Sequence, residues 1–356
     1  MVETTDFIVV GAGLAGLAFA RDAQAAGKTV VLLDKGRGVG GRAATRRLSE
    51  DARADHGAQF FTARGERFRR FVDAWLAEGG GSDGGDSLAA WSHGFPRWRG
   101  GNILPAEAGH PRYAPTRGMS ALPKRLARGL DVQAGMTATS VERSGDGLWR
   151  VTAKAAGEER AATFSARAVV LSLPPAQLLP LAGDLQPEAT RQRLATVAYD
   201  PCWALIARPD ADVNAEWRAL DLSGEGGHPV LSFLSRDHTK RADPAAVPPV
   251  LVAHASAAWS RAHLEDAPEA VTAALLAAVR EVVSADVSVR EVQAHRWRYA
   301  LARGLYPEPC FWHPELGLGG CGDWCAAAGG GKIEGAVESG WHLARSVFRA
   351  NEEGEA

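Results

Sequence analysis

The sequence predicts an α/β fold built around a parallel sheet, and three neighbouring segments near the N-terminus carry this prediction. Residues 7–10 form a short apolar run typical of a buried strand, and a glycine-rich turn at residues 11–16 follows directly. A helical pattern continues to Gly27, and residues 29–33 read as a second strand that ends at Asp34. Strand, glycine turn, helix and strand in this order begin a dinucleotide-binding fold.

Each glycine of this turn has its own role. Gly11 allows the tight turn, Gly13 lets the backbone approach a pyrophosphate, and Gly16 lets the helix pack closely on the strand. The helix start offers free N–H groups and a positive dipole end to the phosphates. Asp34 can accept hydrogen bonds from a ribose diol. We therefore expect cofactor contacts from Asp34 and from the whole turn, which is Gly11, Ala12, Gly13, Leu14, Ala15 and Gly16.

A second glycine-rich segment follows the second strand and favours the same chemistry. Glycines beside cationic side chains supply mobile backbone N–H groups and fixed positive charge for a diphosphate. The N-terminal turn alone does not distinguish an FAD site from an NAD site, and this loop provides further evidence. Its candidate contacts are Lys35, Gly40, Gly41 and Arg42.

Composition bounds the remaining possibilities. A chain of 356 residues predicts two domains, and its net charge of −2 gives no reason to expect nucleic acid or a membrane surface as partner. No apolar stretch reaches the roughly 20 residues of a membrane span, and no basic run precedes residues 7–20, so we expect a cytoplasmic protein without an export signal. Cys321 and Cys325 lack a second ligand pair, which argues against a metal site. The composition leaves the oligomeric state open.

Further distinctive blocks occur along the chain. Together with the N-terminal turn and residues 34–42 they are DHGAQFFTAR at 55–64, GMSAL at 118–122, DPCWA at 200–204, AAWSR at 257–261, HRWRYA at 295–300, CGDWC at 321–325 and EGA at 334–336. These blocks resemble the flavin-dependent amine oxidase superfamily and are most similar to its renalase branch. They run from near residue 7 to near residue 348, so the resemblance covers nearly the whole chain.

The resemblance implies a Rossmann-type FAD-binding domain interleaved with a mixed α+β substrate domain, the architecture of amine oxidases and p-hydroxybenzoate hydroxylase. It assigns residues 1–75, 115–178 and 313–350 to the FAD-binding domain. It assigns 76–114 and 179–312 to the substrate domain and leaves 351–356 as a flexible acidic tail. The local patterns add structural helices at about 268–283 and 334–348.

The resemblance also implies that FAD is bound non-covalently and extends the set of cofactor contacts. In the superfamily, an Asp at the position of Asp323 contacts the ribityl and pyrophosphate part of FAD, and the following helix start points N–H groups at the flavin. The implied contacts beyond the N-terminal segment are Ala58, Gln59, Asp323, Glu334, Gly335 and Ala336.

A flavin enzyme that removes hydride needs little side-chain chemistry, because the flavin accepts the electrons. We expect a dry pocket with aromatic walls and a few polar groups, among them Arg64 for an amide or a phosphate. A single aromatic residue is more often part of a protein core, and a His in an apolar strand, such as His254, is more often a hydrogen-bonded core residue than a catalyst. We see no Ser-His-Asp order and no paired carboxylates. The pocket candidates are Phe60, Phe61, Thr62, Ala63, Arg64, Trp203, Ala204, His254, Trp297 and Tyr299.

The renalase resemblance implies a reaction. The substrates would be isomers of NADH or NADPH that carry the hydride at position 2 or 6 of the nicotinamide ring. Hydride would pass to flavin N5, restoring NAD(P)+, and O2 would then be reduced to H2O2. Two other interpretations stay open: an amine-oxidase-type enzyme acting on an amine or an unsaturated substrate, and an FAD-binding protein without turnover, which Cys321 and Cys325 alone would support.

Two segments depart from the renalase pattern. The stretch at 326–331 is longer, and Lys332 stands where related bacterial proteins carry an arginine, so a bidentate contact there is in doubt. An insertion at 79–86 also lies outside the pattern. Both segments could reshape the mouth of the pocket.

Overall fold

The computed structural model describes residues 4–79, 86–158, 160–213, 215–327 and 330–353. Most of the insertion at 79–86, two residues of the 326–331 stretch and the last three residues of the expected tail lie outside these ranges.

Runs of consecutive strands are separated by single helices or by pairs of helices. In chain order, the strands are β1 Thr4–Val10, β2 Val30–Asp34, β3 Thr45–Arg47, β4 Arg53–Asp55, β5 Leu88–Ser92, β6 Arg97–Arg99, β7 Asn102–Leu104, β8 Arg112–Pro115, β9 Asp131–Ala134, β10 Met136–Arg143, β11 Trp149–Ala155, β12 Ala161–Leu171, β13 Ala198–Pro209, β14 Ala219–Asp221, β15 Leu231–Arg236, β16 Leu251–Ala255, β17 Val289–Arg303, β18 Phe311–His313 and β19 Leu318–Gly320. The helices are α1 Leu14–Ala25, α2 Glu66–Glu78, α3 Ala121–Ala127, α4 Pro175–Ala182, α5 Glu188–Ala195, α6 Ala257–Ala262, α7 Pro268–Val283 and α8 Ile333–Glu353.

The chain divides into two compact units that are interleaved in sequence. The first consists of Met1–Arg42, Leu122–Ala198 and Ala302–Ala356, and the second of Ala43–Ala121 and Tyr199–Leu301. Residues 43–75 therefore fall in the second unit. The division into FAD-binding and substrate domains proposed from the sequence concerns ligand binding, and its boundaries stay a prediction.

The first unit is built on a sheet whose centre is parallel. β1 pairs in parallel with β2 and with β12, β9 extends the sheet beyond β2, and β19 pairs with the end of β12. β10 and β11 continue it as antiparallel strands. The central strands are apolar because both sheet faces are covered, and the end of β1 is fully buried. The predicted strands β1 and β2 thus lie side by side at the parallel centre of the sheet.

Helix α8 packs closely against α1, and one glycine makes this approach possible. A Cβ atom at Gly340 would lie 2.2 Å from the carbonyl oxygen of Ala15, far inside contact distance. The C-terminal helix therefore lies against the helix that follows the N-terminal glycine turn. Phe348 adds a ring contact to Phe19, with centroids 6.4 Å apart.

The second unit is built on a mostly antiparallel sheet in the order β17-β13-β16-β15-β14-β6-β7. Because side chains alternate along strands, its two faces differ. One face, which includes Leu205 and Leu234, packs on α7 through Leu275 to form the main apolar core of this unit. The opposite face carries Ile206 and Val252, which pack with Ala54 of β4.

Most locally patterned elements occur where the sequence predicts them. Helix α7 has the expected bounds, whereas α8 continues beyond 348 to Glu353. The apolar strand expected at 168–173 begins earlier, at Ala161, and ends at Leu171. Among the described residues, no helix combines the length and the apolar character needed to cross a membrane.

Candidate functional site

The glycine turn of the first unit is tightly packed on one side and open on the other. A Cβ at Gly11 would lie 2.5 Å from the Ser172 carbonyl oxygen, and one at Gly16 would lie 2.3 Å from that of Gly11. A Cβ at Gly13, in contrast, would have no atom within 4 Å. Helix α1 starts directly after Gly13 with no side-chain cap and no acidic residue in its first turn. These features leave a helix start available to an anionic group.

Asp34 holds the end of β2 against this turn. Its Oδ2 accepts a hydrogen bond from the Ala12 N–H at 2.7 Å, and its Oδ1 accepts one from the Gly36 N–H at 2.7 Å. Burial raises the pKa of the Asp34 carboxyl, and the two N–H donors oppose that rise. A carboxylate has about four acceptor positions, so both oxygens can still accept from ribose hydroxyls.

The segment after β2 folds back on the same turn. The Gly40 N–H donates to the Ala12 carbonyl oxygen at 2.8 Å, with Gly40 at φ 106° beside Pro123. Lys35 and Gly41 are exposed. The loop thus lies beside the turn, and its role in binding a diphosphate stays a prediction.

Arg42 and Asp323 form a two-pronged ion pair within the first unit. Nη1 and Nη2 of Arg42 lie 2.6 Å and 2.8 Å from the two carboxylate oxygens of Asp323. The Asp323 backbone oxygen accepts from the Gly331 N–H at 2.6 Å, just before α8 begins. Two predicted cofactor residues that are 281 positions apart in sequence therefore meet.

The start of α8 is the second helix start of this unit that was predicted to face the cofactor. Glu334 and Gly335 are buried in its first turn, and Ala336 is half-buried. A Cβ at Gly335 would lie 2.8 Å from the Ala327 carbonyl oxygen, so a larger residue would displace the preceding loop. Lys332, where an arginine was expected by resemblance, is exposed.

In the second unit, the residues after β4 are fixed by a buried charge network of Asp55, Asp237, Lys240 and Arg241. Lys240 Nζ lies 3.3 Å from Asp55 Oδ2 and 2.5 Å from Asp237 Oδ1, and neither its side chain nor the two carboxylates are exposed. Arg241 Nη2 also contacts both carboxylates. Two positive and two negative charges balance, which a buried cluster requires.

This network holds Gln59, one of the predicted cofactor residues. The Gln59 Oε1 accepts from Lys240 Nζ at 3.1 Å and from the Ser235 hydroxyl at 2.8 Å, and its amide donates to the Asp55 carbonyl oxygen. Thr45 donates to Asp55 Oδ1 at 2.6 Å. Burial raises the pKa of Asp55, but the charges of Lys240 and then Arg241 outweigh it and hold that pKa below its usual value. The Gln59 side chain is therefore fixed before any ligand binds.

A histidine–tryptophan corner, formed by His56, His254, His295 and Trp297, adjoins this segment. The Trp297 indole N–H donates to the His56 carbonyl oxygen at 2.8 Å, and His254 Nε2 lies 3.3 Å from the same oxygen. The His56 ring stacks on Trp297 with centroids 5.2 Å apart, and the His295 ring meets the Trp297 ring edge-on at 4.4 Å.

All three imidazoles of this corner favour the neutral form. Burial lowers the pKa of His254 to about 4 and that of His56 to about 3. Burial and the nearby charge of Arg46, whose Nη2 lies 3.5 Å from His295 Nδ1, lower the pKa of His295. Because Nε2 of His254 lies against a carbonyl oxygen, its proton is assigned to Nε2, which leaves Nδ1 as an acceptor.

An aromatic wall of Phe60, Trp91, Phe95 and Phe233 continues from the corner. Phe233 pairs across the sheet with His254, and the two ring centroids are 6.4 Å apart. Phe60 lies 5.3 Å from Phe95 and 6.2 Å from Phe233 between centroids. Of these residues, the sequence singled out only Phe60.

The remaining pocket candidates are placed differently. Ala204 pairs with His254 and shares its sheet face, whereas Trp203, on the other face, is buried in the core and donates to the His263 carbonyl oxygen at 2.9 Å.

Phe61 is buried against Phe68. Tyr299 contacts Tyr199 at 5.8 Å between centroids, Thr62 and Ala63 are half-buried, and Arg64 is exposed. Ala58 is half-buried beside Gln59 in the second unit.

Sequence reasoning missed the residues that support these candidates. Lys240 and Asp237 belong to a charge-rich segment, DHTKR at 237–241, that follows strand β15. Charged residues directly after an apolar strand are a weak signal, since most such residues are solvated. Arg112, Trp91 and Phe95 carry no recognisable pattern in the sequence.

Two family matches cover nearly the whole chain. Residues 9–75 match an NAD(P)-binding Rossmann-like domain, and residues 66–348 match a family described as flavin containing amine oxidoreductase.

Two solved structures share the fold along almost their whole length. One is a protein assigned as a protoporphyrinogen oxidase from Exiguobacterium sp. 255-15, with 14% identity, a TM-score of 0.69, and coverage of 98% of this chain and 99% of that one. The other is a double mutant of putrescine oxidase with redesigned cofactor binding, with 17% identity, a TM-score of 0.65, and coverage of 97% and 99%. They confirm the predicted fold class.

Proposed function

Because the chain belongs to the flavin containing amine oxidoreductase family, we propose that it oxidises the 2- and 6-dihydro isomers of NADH and NADPH. The predicted FAD cofactor is confirmed by this membership. In the proposed reaction, one dihydro isomer, one O2 and one proton yield NAD(P)+ and H2O2. The renalase-like substrate is thus the specific part of the proposal.

The first unit has the features that FAD requires. The open turn at Gly13 and the uncapped start of α1 fit a diphosphate, and Asp34 fits a ribose. Arg42, held by Asp323, keeps an oriented guanidinium in the same unit. When bound, FAD supplies the redox chemistry, accepting the hydride and passing two electrons to O2.

The histidine–tryptophan corner carries the substrate proposal: its aromatic rings are held around the His56 carbonyl oxygen, and its His254 and His56 imidazoles are only weakly basic. With a pKa of about 4 for His254 and about 3 for His56, both rings are neutral at pH 7. Removal of hydride from a dihydronicotinamide restores an aromatic ring and requires no proton to be abstracted from the substrate. A neutral aromatic corner suits that step, whereas acid–base chemistry would need a group that titrates near the working pH.

The corner also has the hydrogen-bonding character to orient a carboxamide. The Nε2 atom of His254 lies against the His56 carbonyl oxygen, so this ring can accept a hydrogen bond only at Nδ1. A carboxamide NH2 provides the complementary donor. The Trp297 ring, fixed by its own bond to His56, offers a flat surface for a planar ring.

Oxidation of an amine is the competing proposal, and the buried amine of Lys240 is relevant to it. A lysine that acts near a flavin must be free to move a proton, but Lys240 is held by two carboxylates and Gln59. Its position therefore favours a structural role and weakens the case for amine oxidation.

The test is anaerobic reduction of the purified holoenzyme, followed as bleaching of the visible flavin band. Ordinary NADH, a mixture of 2- and 6-dihydro isomers and a panel of mono- and diamines are compared. We expect rapid bleaching by the isomers alone and release of H2O2 when air is readmitted. Absence of bleaching by the isomers overturns the proposal, and bleaching by an amine would replace it.

A further inference from the structure

A half-buried arginine stacks on the aromatic wall at Phe95 and Phe60. Arg112 is the first residue of β8, and its guanidinium carbon lies 4.8 Å from the Phe95 ring centroid and 5.7 Å from that of Phe60. Such stacking on ring faces fixes the guanidinium plane. Arg112 thus places a permanent positive charge beside the wall.

The Nη1 atom of Arg112 lacks an acceptor for its hydrogen bonds. It is buried from solvent and has no hydrogen-bond partner among the described residues. The carboxylate of Glu107, in the segment that precedes β8, is paired with Arg97 instead. A buried donor without an acceptor is costly, and the cost is higher for a charged group, so this guanidinium favours an anionic partner.

The wall connects this charge to the corner without interruption. Phe233 bridges the two, since its centroid lies 6.4 Å from the His254 ring and 5.4 Å from the Phe95 ring. Phe95 in turn contacts the Arg112 guanidinium. A ligand lying along this surface would therefore meet a neutral hydrogen-bonding corner at one end and a cation at the other.

We propose that Arg112 binds a phosphate of the dihydronicotinamide nucleotide whose ring occupies the histidine–tryptophan corner. This inference rests on the proposed function and deepens it, because it makes the phosphate-bearing nucleotide, rather than the bare nicotinamide riboside, the preferred substrate. Guanidinium is suited to the task, since its planar fork can donate two parallel hydrogen bonds to phosphate oxygens. The anion-binding role that the sequence suggested for Arg64 passes to Arg112.

The test measures equilibrium binding, so it does not depend on turnover. Oxidised nicotinamide mononucleotide and nicotinamide riboside, which differ only in the phosphate, are titrated into the holoenzyme and followed by calorimetry. In the wild-type protein, we expect the mononucleotide to bind about tenfold or more tightly than the riboside. A factor of this size corresponds to the contribution of one charge-assisted hydrogen bond. Arg112→Met should abolish the difference and Arg112→Lys should keep part of it.

Arg97→Met is the matched control, because Arg97 is a more exposed arginine of the same unit, paired with Glu107. It should leave both affinities unchanged. A second readout is the KM for the 6-dihydro isomers of the two compounds, where Arg112→Met should raise the KM of the phosphorylated one alone.

The outcomes separate the two proposals. If Arg112→Met weakens both ligands equally, or if neither ligand binds, the phosphate site is refuted even when the dihydro isomers reduce the flavin. If the isomers fail to reduce the flavin but Arg112-dependent phosphate binding is present, the phosphate site stands and the substrate proposal fails.

Discussion

Trp297 and His56 are joined by a hydrogen bond from the indole N–H to the backbone carbonyl oxygen, 2.8 Å long. The same oxygen lies 3.3 Å from His254 Nε2. One carbonyl group of the segment after β4 thus fixes the orientation of two side chains that come from β16 and β17. The geometry of the corner depends on the backbone of residue 56 more than on its imidazole.

Trp297→Phe should slow flavin reduction by the dihydro isomers about fivefold, since a lost hydrogen bond costs about 1 kcal/mol. An aromatic ring remains, but its orientation is no longer fixed by His56. Stopped-flow reduction under anaerobic conditions gives the rate. Trp259→Phe is the control, because Trp259 stacks on His263 with centroids 4.1 Å apart, and its rate should match the wild type. Equal rates in all three proteins would contradict the assigned role of Trp297.

The rate of flavin reduction should be constant from about pH 8 down to about pH 5, because His254 and His56, whose pKa values are lowered to about 4 and about 3, stay neutral across this range. The lowered pKa of His254, about 4, marks where the rate should begin to fall. A stopped-flow series across this range measures the profile. A break near the ordinary His pKa of about 6.5 would show that a ring of the corner titrates normally.

Folding stability should fall as the pH is lowered through the same range. The pKa of His254 is about 4 in the folded protein and about 6.5 when unfolded. Between these values the unfolded state binds more protons, so stability rises with pH and is lost on acidification. Urea unfolding at pH 7 and pH 5 should show a loss of stability to which His254 contributes on the order of 1 kcal/mol, and His254→Gln should remove that part while the contribution of His56 remains. An unchanged pH dependence in the variant would contradict the assignment.

Lys240→Met should destabilise the fold by about 3–5 kcal/mol, because it leaves two buried carboxylates with Arg241 as their one remaining cation in the network. The melting temperature measures the loss at neutral pH. The variant should lose less stability than the wild type on mild acidification, since a proton can replace the missing charge. Lys154→Met, at an exposed position of β11, is the control and should melt like the wild type. Equal melting of both variants would mean that the ion pairs contribute nothing.

Asp34→Asn should weaken FAD binding about tenfold or more. Its two oxygens accept N–H bonds from Ala12 and Gly36, and an amide NH2 in place of one oxygen would face a donor. Titration of the apoprotein with FAD gives the affinity. Asp131→Asn on the neighbouring strand β9 is exposed and should bind FAD normally. Undiminished affinity in Asp34→Asn would remove this residue from the cofactor site.

Local sequence patterns were sufficient to predict the elements that depend on residues close together in the chain. The glycine turn, its flanking strands and α7 occur as predicted. Backbone geometry, burial and helix periodicity each produce a sequence pattern that is recognisable within about 20 residues. The position of His254 in a strand also followed from its apolar neighbours. The prediction of FAD required the wider resemblance, since the turn alone is shared by NAD sites.

Contacts between distant segments could not be predicted in this way. Lys240 and Asp55 are 185 positions apart, and nothing near either residue indicates the other. Arg112 carries no local sign of its aromatic neighbours, because the stacking depends on the pairing of β5 with β8 and on the loop that holds Phe95. Such sites are products of tertiary packing, which a single sequence does not reveal.

The close approach of Gly340 to Ala15 has a consequence for biosynthesis. Helix α1, which follows the glycine turn, packs on α8, which is translated much later, and β19 joins the sheet only shortly before α8. A nascent chain from which these segments have not yet emerged lacks both supports. Until α8 has emerged, α1 has no helix to pack against. The order in which the chain is made therefore sets the earliest moment at which the first unit can close.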